Sequence, residues 1–134
     1  MEQTLLIIKP DAVNRDIIGE ILKRVEADGF RIEGLKMLKV SPEEGGKFYQ
    51  VHKGKPFYQE LVDYISSGKI VVTWLKREKA VEELRKLIGA TDPKKAEKGT
   101  VRYDFGLDIC HNSVHASDSL ENARIEIDFF FGKK

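Results

Sequence analysis

The sequence predicts an α/β (α+β) sandwich, and three observations predict it. Short β-branched runs alternate along the chain with amphipathic stretches of helical period. The first run, Leu5-Leu6-Ile7-Ile8, is apolar on both faces, as a strand in the middle of a sheet has to be. No repeat, low-complexity tract or linker divides the 134 residues, a length that suits one domain, residues 1–134, with one core.

Each element has its own signal. Thr4 to Lys9 reads as the central strand, stopped by Pro10. Ile18, Ile21, Leu22 and Val25 form a helical stripe, with Gly29 placed to end the helix in the left-handed conformation. Phe30 to Val40 reads as a second strand in which Gly34 marks a bulge, because the alternation shifts there. Ser41-Pro42-Glu43-Glu44 opens the next helix: serine caps, proline suits the first helical position and Glu44 completes the box. That helix carries Tyr49 and His52 until Lys53-Gly54-Lys55-Pro56 breaks it, and Phe57 to Ser67 follows as a second helix. Two helices in succession predict a hairpin added to the sheet. Ile70 to Leu75 is a third strand, and Ala80, Val81, Leu84, Leu87 and Ile88 stripe a helix that ends at Gly89. Ala90 to Thr100 has no apolar period and reads as a loop, a length that is usually functional or mobile. Val101 to Ile109 reads as partly extended. The last helix carries Leu120, Ala123, Ile127, Phe130 and Phe131 on one face, with Asp118 and Glu121 as its capping pair. The order β-α-β-α-α-β-α-loop-β-α fits a ferredoxin-like, split β-α-β plan, with helices on a face of a mixed or antiparallel sheet.

Composition excludes several functions. With 23 basic and 22 acidic residues the net charge is +1, so no global field recruits nucleic acid or a membrane surface. No apolar run approaches the roughly 20 residues of a membrane span. A single cysteine, Cys110, cannot close an internal disulfide and fits a reducing compartment, hence a cytoplasmic protein. No Gly-x-x-x-x-Gly-Lys-Ser/Thr run is present, which excludes a P-loop, and no His, Cys and carboxylate spacing marks a protein-held metal.

The stretch from Asn112 to Phe131 holds the chemistry. His115 lies in a short apolar-flanked segment before a helix start, and Glu126 borders that helix's apolar face, from where a carboxylate can reach back to the histidine. A nucleophilic histidine needs one ring nitrogen free and the other held by an acceptor. The helix start also offers free N–H groups to an anion. Taken alone, a histidine before a helix is more often a hydrogen-bonded structural residue. His52 and His111 have no evident partner in sequence and read as surface or packing residues.

Wording tips the balance. Asn112-x-x-His115-x-Ser117-Asp118-Ser119 with Glu126 downstream, Lys9-Pro10-Asp11 near the start, and Arg85…Thr91-Asp92-Pro93…Arg102 between them resemble the signature of nucleoside diphosphate kinases, in order and spacing, from about Thr4 to Phe131. The resemblance implies transfer of the terminal phosphoryl of a nucleoside triphosphate to a nucleoside diphosphate, in two halves, through a phosphohistidine on Nδ1 of His115. It implies that Glu126 holds the other ring nitrogen and that Ser119 supports the Glu126 carboxylate. Arg85, Thr91 and Arg102 then bind the β- and γ-phosphates, Lys9 and Asn112 touch phosphates and sugar hydroxyls, and Tyr49 lies near the transferring group. Phe57 stacks on the base, with Leu61 and Ile109 completing the apolar slot. Mg²⁺ arrives bridging the nucleotide phosphates. The expected assembly is a homo-oligomer, a hexamer or tetramer built from dimers, with no nucleic acid or membrane needed.

From the residues alone, Phe57 could instead simply pack the hairpin, and either arginine could be a solvated charge. Ala116 departs from a common glycine and would be strained if the backbone there needed a positive φ. Tyr103 and Lys76-Arg77 are further departures. Two other readings compete: a nucleotide-binding module without turnover, which has no need of His115 and Glu126 together, and a nucleic-acid-binding sheet, which wants exposed aromatics that strand one lacks.

Overall fold

The structure, a computed structural model, describes residues 1–107 and 112–132. Among them the strands are β1 (Glu2–Ile8), β2 (Arg31–Leu38), β3 (Ile70–Arg77) and β4 (Val114–Ala116). The helices are α1 (Pro10–Asn14), α2 (Ile18–Ala27), α3 (Pro42–Phe48), α4 (Tyr58–Ile65), α5 (Ala80–Ile88), α6 (Val101–Phe105) and α7 (Leu120–Phe131). The sheet runs β2-β3-β1-β4 and every pairing is antiparallel. This is the expected ferredoxin-like α+β fold.

Strand β1 shows why its sequence is apolar throughout. Leu6 and Ile8 point into a layer with Ile21 and Val25 of α2 and Leu84 and Ile88 of α5. Leu5 and Ile7 point the other way, to Val62 and Ile65 of α4 and to Ile127 and Phe130 of α7. Helices therefore cover both faces of the sheet, where the sequence reading placed them on one. Period-2 alternation with no polar side leaves β1 no face to give to water.

The local signals hold at several ends. Ser41 accepts from the Glu44 amide at 3.0 Å while the Glu44 carboxylate accepts from the Ser41 amide at 2.9 Å, so the capping box is closed. The pairing of β2 with β3 shifts register between Ile32 and Gly34, as a bulge requires. A Cβ at Gly34 would lie 2.8 Å from the Phe131 ring, so this bulge also admits the end of α7 against the backbone.

Three readings need correction, and one helix was not anticipated. Residues 101–105 are helical, not extended: Thr100 caps α6 by accepting from the Tyr103 amide, a local hydrogen bond that outweighs weak periodicity. Helix α1 had no apolar stripe to announce it, only Pro10 at its first position. Helix α7 is capped by Ser119, which accepts from the Asn122 amide at 3.0 Å; Asp118 instead accepts from the Asn122 side chain at 2.5 Å. Finally, His52 lies in a 3₁₀ turn, Gln50–His52, after α3 has ended at Phe48 with Tyr49 as its C-cap.

Candidate active site

Pairing fixes the histidine. β4 joins β1 with His115 opposite Ile7 and Val114 opposite Ile8. Residues directly opposite in an antiparallel pair share a face, so His115 points with Ile7 toward α7. Two turns into α7 stands Glu126, and its Oε1 accepts a 3.1 Å hydrogen bond from His115 Nε2. The same oxygen accepts from the Ser117 hydroxyl at 2.7 Å. With Nε2 holding the proton, Nδ1 is left with its lone pair and no partner among the described residues. The side chains of His115 and Glu126 are 23% and 16% exposed, enough for a substrate to reach the ring and too little for free rotation. Phe48 meets the imidazole edge-on, ring centroids 5.4 Å apart.

The cationic side is built into the backbone. β4 lies at the sheet edge, and the carbonyls flanking His115 are taken by arginines where another strand would otherwise pair. Arg102 donates to Val114 O and to Gly89 O, both at 3.0 Å, and Arg85 donates to Ala116 O at 3.4 Å. Arg102 is 6% exposed, and its Nε–H has no acceptor among the described residues. Burial, then the like charge of Arg85, pull its pKa down to about 10, with Tyr49 opposing. It stays a cation at neutral pH, desolvated and short of an acceptor, which an anion would supply. Arg85 is exposed on α5.

Lys9 does not emerge into solvent at the end of β1: it is 5% exposed, with its ammonium 3.0 Å from Asn112 Oδ1. The Asn112 amide nitrogen in turn donates to Thr91 O at 3.0 Å. One buried asparagine thus ties the end of β1 to the 90–100 loop, and the fork of Arg102 at Gly89 O ties the base of that loop to β4. No three His, Cys, Asp or Glu side chains gather as a metal-holding group among the described residues; Lys9, Arg85 and Arg102 make the donor set one for anionic oxygen.

The hairpin supplies the outer wall. Phe57 is 45% exposed, its ring 5.3 Å from that of His52. Tyr49, 6% exposed, stands between Phe48 and His52. His52, read in sequence as lacking a partner, belongs to this wall, with the Lys55 ammonium 3.4 Å from its Nδ1. Its pKa is lowered by burial, by Lys55 and by His115, against Asp118 acting the other way, so it sits inside the field of the site. Chain distance hid it: 63 residues separate it from His115.

The expected residues divide accordingly. His115 and Glu126 meet directly; Lys9, Asn112 and the Thr91 backbone form one chain; Arg85 and Arg102 flank β4, with Tyr49 near Arg102. Leu61 is partly buried against the core beneath the hairpin. Ser119 does not reach Glu126: it is spent on the α7 cap, and Ser117, two residues earlier on the strand side, makes that contact. Ala116 is ordinary strand backbone; the positive φ of this segment falls on Ser113, at 74°. Ile109, Cys110 and His111 lie outside the described residues.

A model of the family described as nucleoside diphosphate kinase matches residues 2–134. The chain is 53% identical to the nucleoside diphosphate kinase of a Nitratiruptor species over 134 residues, 100% of this chain and 98% of the relative. It is 54% identical to that of Campylobacter jejuni subsp. jejuni serotype O:6 over 131 residues, 98% of this chain and 96% of the relative. Among solved structures, the Aquifex aeolicus nucleoside diphosphate kinase superposes with a TM-score of 0.95 at 46% identity, covering 97% of this chain and 94% of that one. A halophilic nucleoside diphosphate kinase from Halobacterium salinarum, in complex with CDP, superposes with a TM-score of 0.94 at 36% identity, covering 98% of this chain and 88% of that one. Fold and sequence thus define a phosphotransferase. The chain belongs to the nucleoside diphosphate kinase family, whose members move the terminal phosphoryl of a nucleoside triphosphate to a nucleoside diphosphate.

Proposed function

We propose that His115 carries the phosphoryl group between the two nucleotides. The single observation behind this is the His115–Glu126 bond, which commits Nε2 as donor and leaves Nδ1 as nucleophile. In the first half, the Nδ1 lone pair attacks the γ-phosphorus of the triphosphate; the N–P bond forms, the bond from phosphorus to the β–γ bridging oxygen breaks, and the diphosphate leaves. Positive charge developing on the ring is met by Glu126, which Ser117 holds in place. In the second half, a terminal oxygen of the acceptor diphosphate attacks the same phosphorus and the N–P bond breaks. Arg85 and Arg102 take phosphate oxygens, with Thr91 adding its hydroxyl, and Lys9 and Asn112 set the phosphate and ribose end. Tyr49 borders the transferring group.

Phe57 offers a face to the base, with Leu61 beside it. A stacking face reads no hydrogen-bond pattern, so broad base tolerance goes with it; the CDP bound to the Halobacterium salinarum relative is consistent with a pyrimidine in such a slot. Mg²⁺ belongs to the substrate, as the metal complex of the triphosphate. We place the protein in the cytoplasm, on its single cysteine, as one domain over residues 1–134. We propose a homo-oligomer built from dimers, a hexamer or tetramer; exposed Leu35 and Met37 on edge strand β2 offer one contact surface.

γ-Labelled ATP with Mg²⁺ and no acceptor tests the mechanism. The protein should take up label that is lost in acid and kept in base, and unlabelled GDP should strip it off as GTP. His115→Ala should take up none. Intersecting steady-state lines with no labelled protein would mean direct transfer between bound nucleotides, and His115 would then be a base or a phosphate ligand.

A further inference from the structure

Between the buried Asn112 and the strand that carries His115 the backbone makes an unusual turn. Ser113 has φ 74°, and the Val114 amide donates to the Asn112 carbonyl at 2.9 Å. A hydrogen bond from residue i+2 back to residue i around a positive φ is the strained form of the γ-turn, which L-residues rarely adopt. Conformations of this kind cost about 1–3 kcal/mol and persist only where the surroundings impose them.

The surroundings here are specific. Ser113 is fully buried, and its hydroxyl donates to Asp11 Oδ2 at 3.2 Å while accepting from Arg15 Nη2 at 3.0 Å. Arg15 reaches Asp11 Oδ2 as well, at 3.1 Å. The other Asp11 oxygen accepts from the Tyr64 hydroxyl, which itself accepts from the Asp11 amide at 2.7 Å. The Ser113 carbonyl accepts from the Lys9 amide at 2.8 Å. Side chains from α1, its C-cap and α4 thus converge on one turn, and the Asp11 carboxylate, in a side chain 6% exposed, is the group they share. What they hold is the turn between two residues of the site, Asn112 on one side and His115 on the other.

We propose that Asp11, braced by Arg15 and Tyr64, is a positioning residue that holds Ser113 in its strained turn and thereby sets Asn112 and His115 in register for phosphoryl transfer. The inference rests on His115 as the phosphoryl carrier. Because the turn has one residue between Asn112 and Val114, any relaxation of Ser113 toward negative φ swings the asparagine that ties Lys9 to Thr91, or displaces β4.

A rescue experiment separates this role from plain stabilisation. Glycine adopts positive φ without a Cβ penalty, so Ser113→Gly keeps the turn with no clamp to impose it. Wild type, Asp11→Ala, Ser113→Gly, the double variant and Tyr64→Phe would be compared for the single-turnover rate of labelling from γ-labelled ATP, for KM and for Tm. Asp11→Ala is expected to lose about tenfold in labelling rate, a partial misplacement against the ~10²-fold of a full 1 Å error. Ser113→Gly should stay close to wild type, and the double variant should regain most of the rate while its Tm stays low. A folded Asp11→Ala that labels at the wild-type rate overturns the proposal, as does a loss that Ser113→Gly fails to rescue. If Asp11→Ala does not fold, Tyr64→Phe removes one bond to the same carboxylate: a rate loss rescued by Ser113→Gly supports the clamp, and an unchanged rate overturns it. Wild type that takes up no label defeats the phosphohistidine reading instead; the same variants would then be read on steady-state kcat.

Discussion

The two ends of the site are built to different standards. On the phosphate side Lys9, Asn112 and Arg102 are all buried, and each is tied to backbone or to another side chain from elsewhere in the sequence. On the hairpin side Phe57 is 45% exposed and Val51 76% exposed, and the contacts are ring against ring at more than 5 Å. Preorganised dipoles gain most where the charge of the reaction moves, in a site already desolvated. A base that takes no part in bond making needs only a surface. With the phosphates at the buried end and the base on the hairpin, as proposed, rigidity is concentrated where every substrate is the same, and looseness where substrates differ.

Breaking the rigid end should cost most. Arg102→Ala removes a buried fork aimed past two carbonyls, and kcat/KM should fall by about 10²–10³, the usual cost of one preorganised donor. Arg102→Lys should recover little, since an ammonium cannot span both carbonyls and still face an anion. Recovery to within a fewfold of wild type in steady-state assays would show that charge alone suffices there.

Next comes the pair that orients the nucleophile. Glu126→Gln keeps the shape and removes the charge facing the imidazole; hydrogen bonds to charged groups are worth roughly 1.5–3 kcal/mol, so kcat should drop by about 10–10²-fold with KM little changed. An unaltered kcat across the pH range would reduce Glu126 to a helix-face charge. Ser117→Ala should follow in the same direction and Ser119→Ala should not, since the latter loses only the helix cap, about 1 kcal/mol of stability.

At the loose end, Phe57→Ala should weaken purine and pyrimidine nucleotides by a similar factor, about 1–3 kcal/mol for a stacked base. Equilibrium binding of a purine and a pyrimidine diphosphate to both proteins decides it. A loss confined to one base would reveal a specific pocket in place of a stacking face.

The smallest effect also belongs to the hairpin end. His52 titrates below 6.5 because burial, then Lys55 and His115, oppose its protonation. The unfolded chain takes up that proton first, so this contribution to stability is whole above pH 6.5 and is lost as pH falls below it through the folded value. Lys55→Ala should raise the His52 pKa toward 6.5 and soften that loss, followed by NMR titration of the ring and by Tm against pH. No movement of the titration would show that Lys55, 3.4 Å away, is screened by water.

How much of this could be read beforehand follows the same division. Strands, the capping box at Ser41 and the bulge at Gly34 were legible because each is decided by residues a few positions apart. His115, Glu126 and the arginines were legible through the wording of a family signature. The Ser117–Ser119 assignment was not: both serines sit beside the helix start, and only the three-dimensional course from β4 into α7 decides which one caps and which one meets the carboxylate. α6 escaped because five residues with a threonine cap carry too little period to register. His52 escaped because the charges that tie it to the site, His115 and Asp118, come from the far end of the chain.

The pairing of β4 with β1 has a consequence for how the protein is made. Residues 114–116 close against residues 6–8, so β1 is synthesised more than a hundred residues before its partner β4, and Glu126 follows later still. Contacts of such long sequence separation form late, after the local elements. A nascent chain can therefore form α2, β2 and the hairpin while the histidine is still unpaired, its carboxylate unsynthesised and the β4 carbonyls that hold Arg85 and Arg102 not yet in place. Synthesis has to pass Glu126 before the histidine is both paired in the sheet and held by its carboxylate.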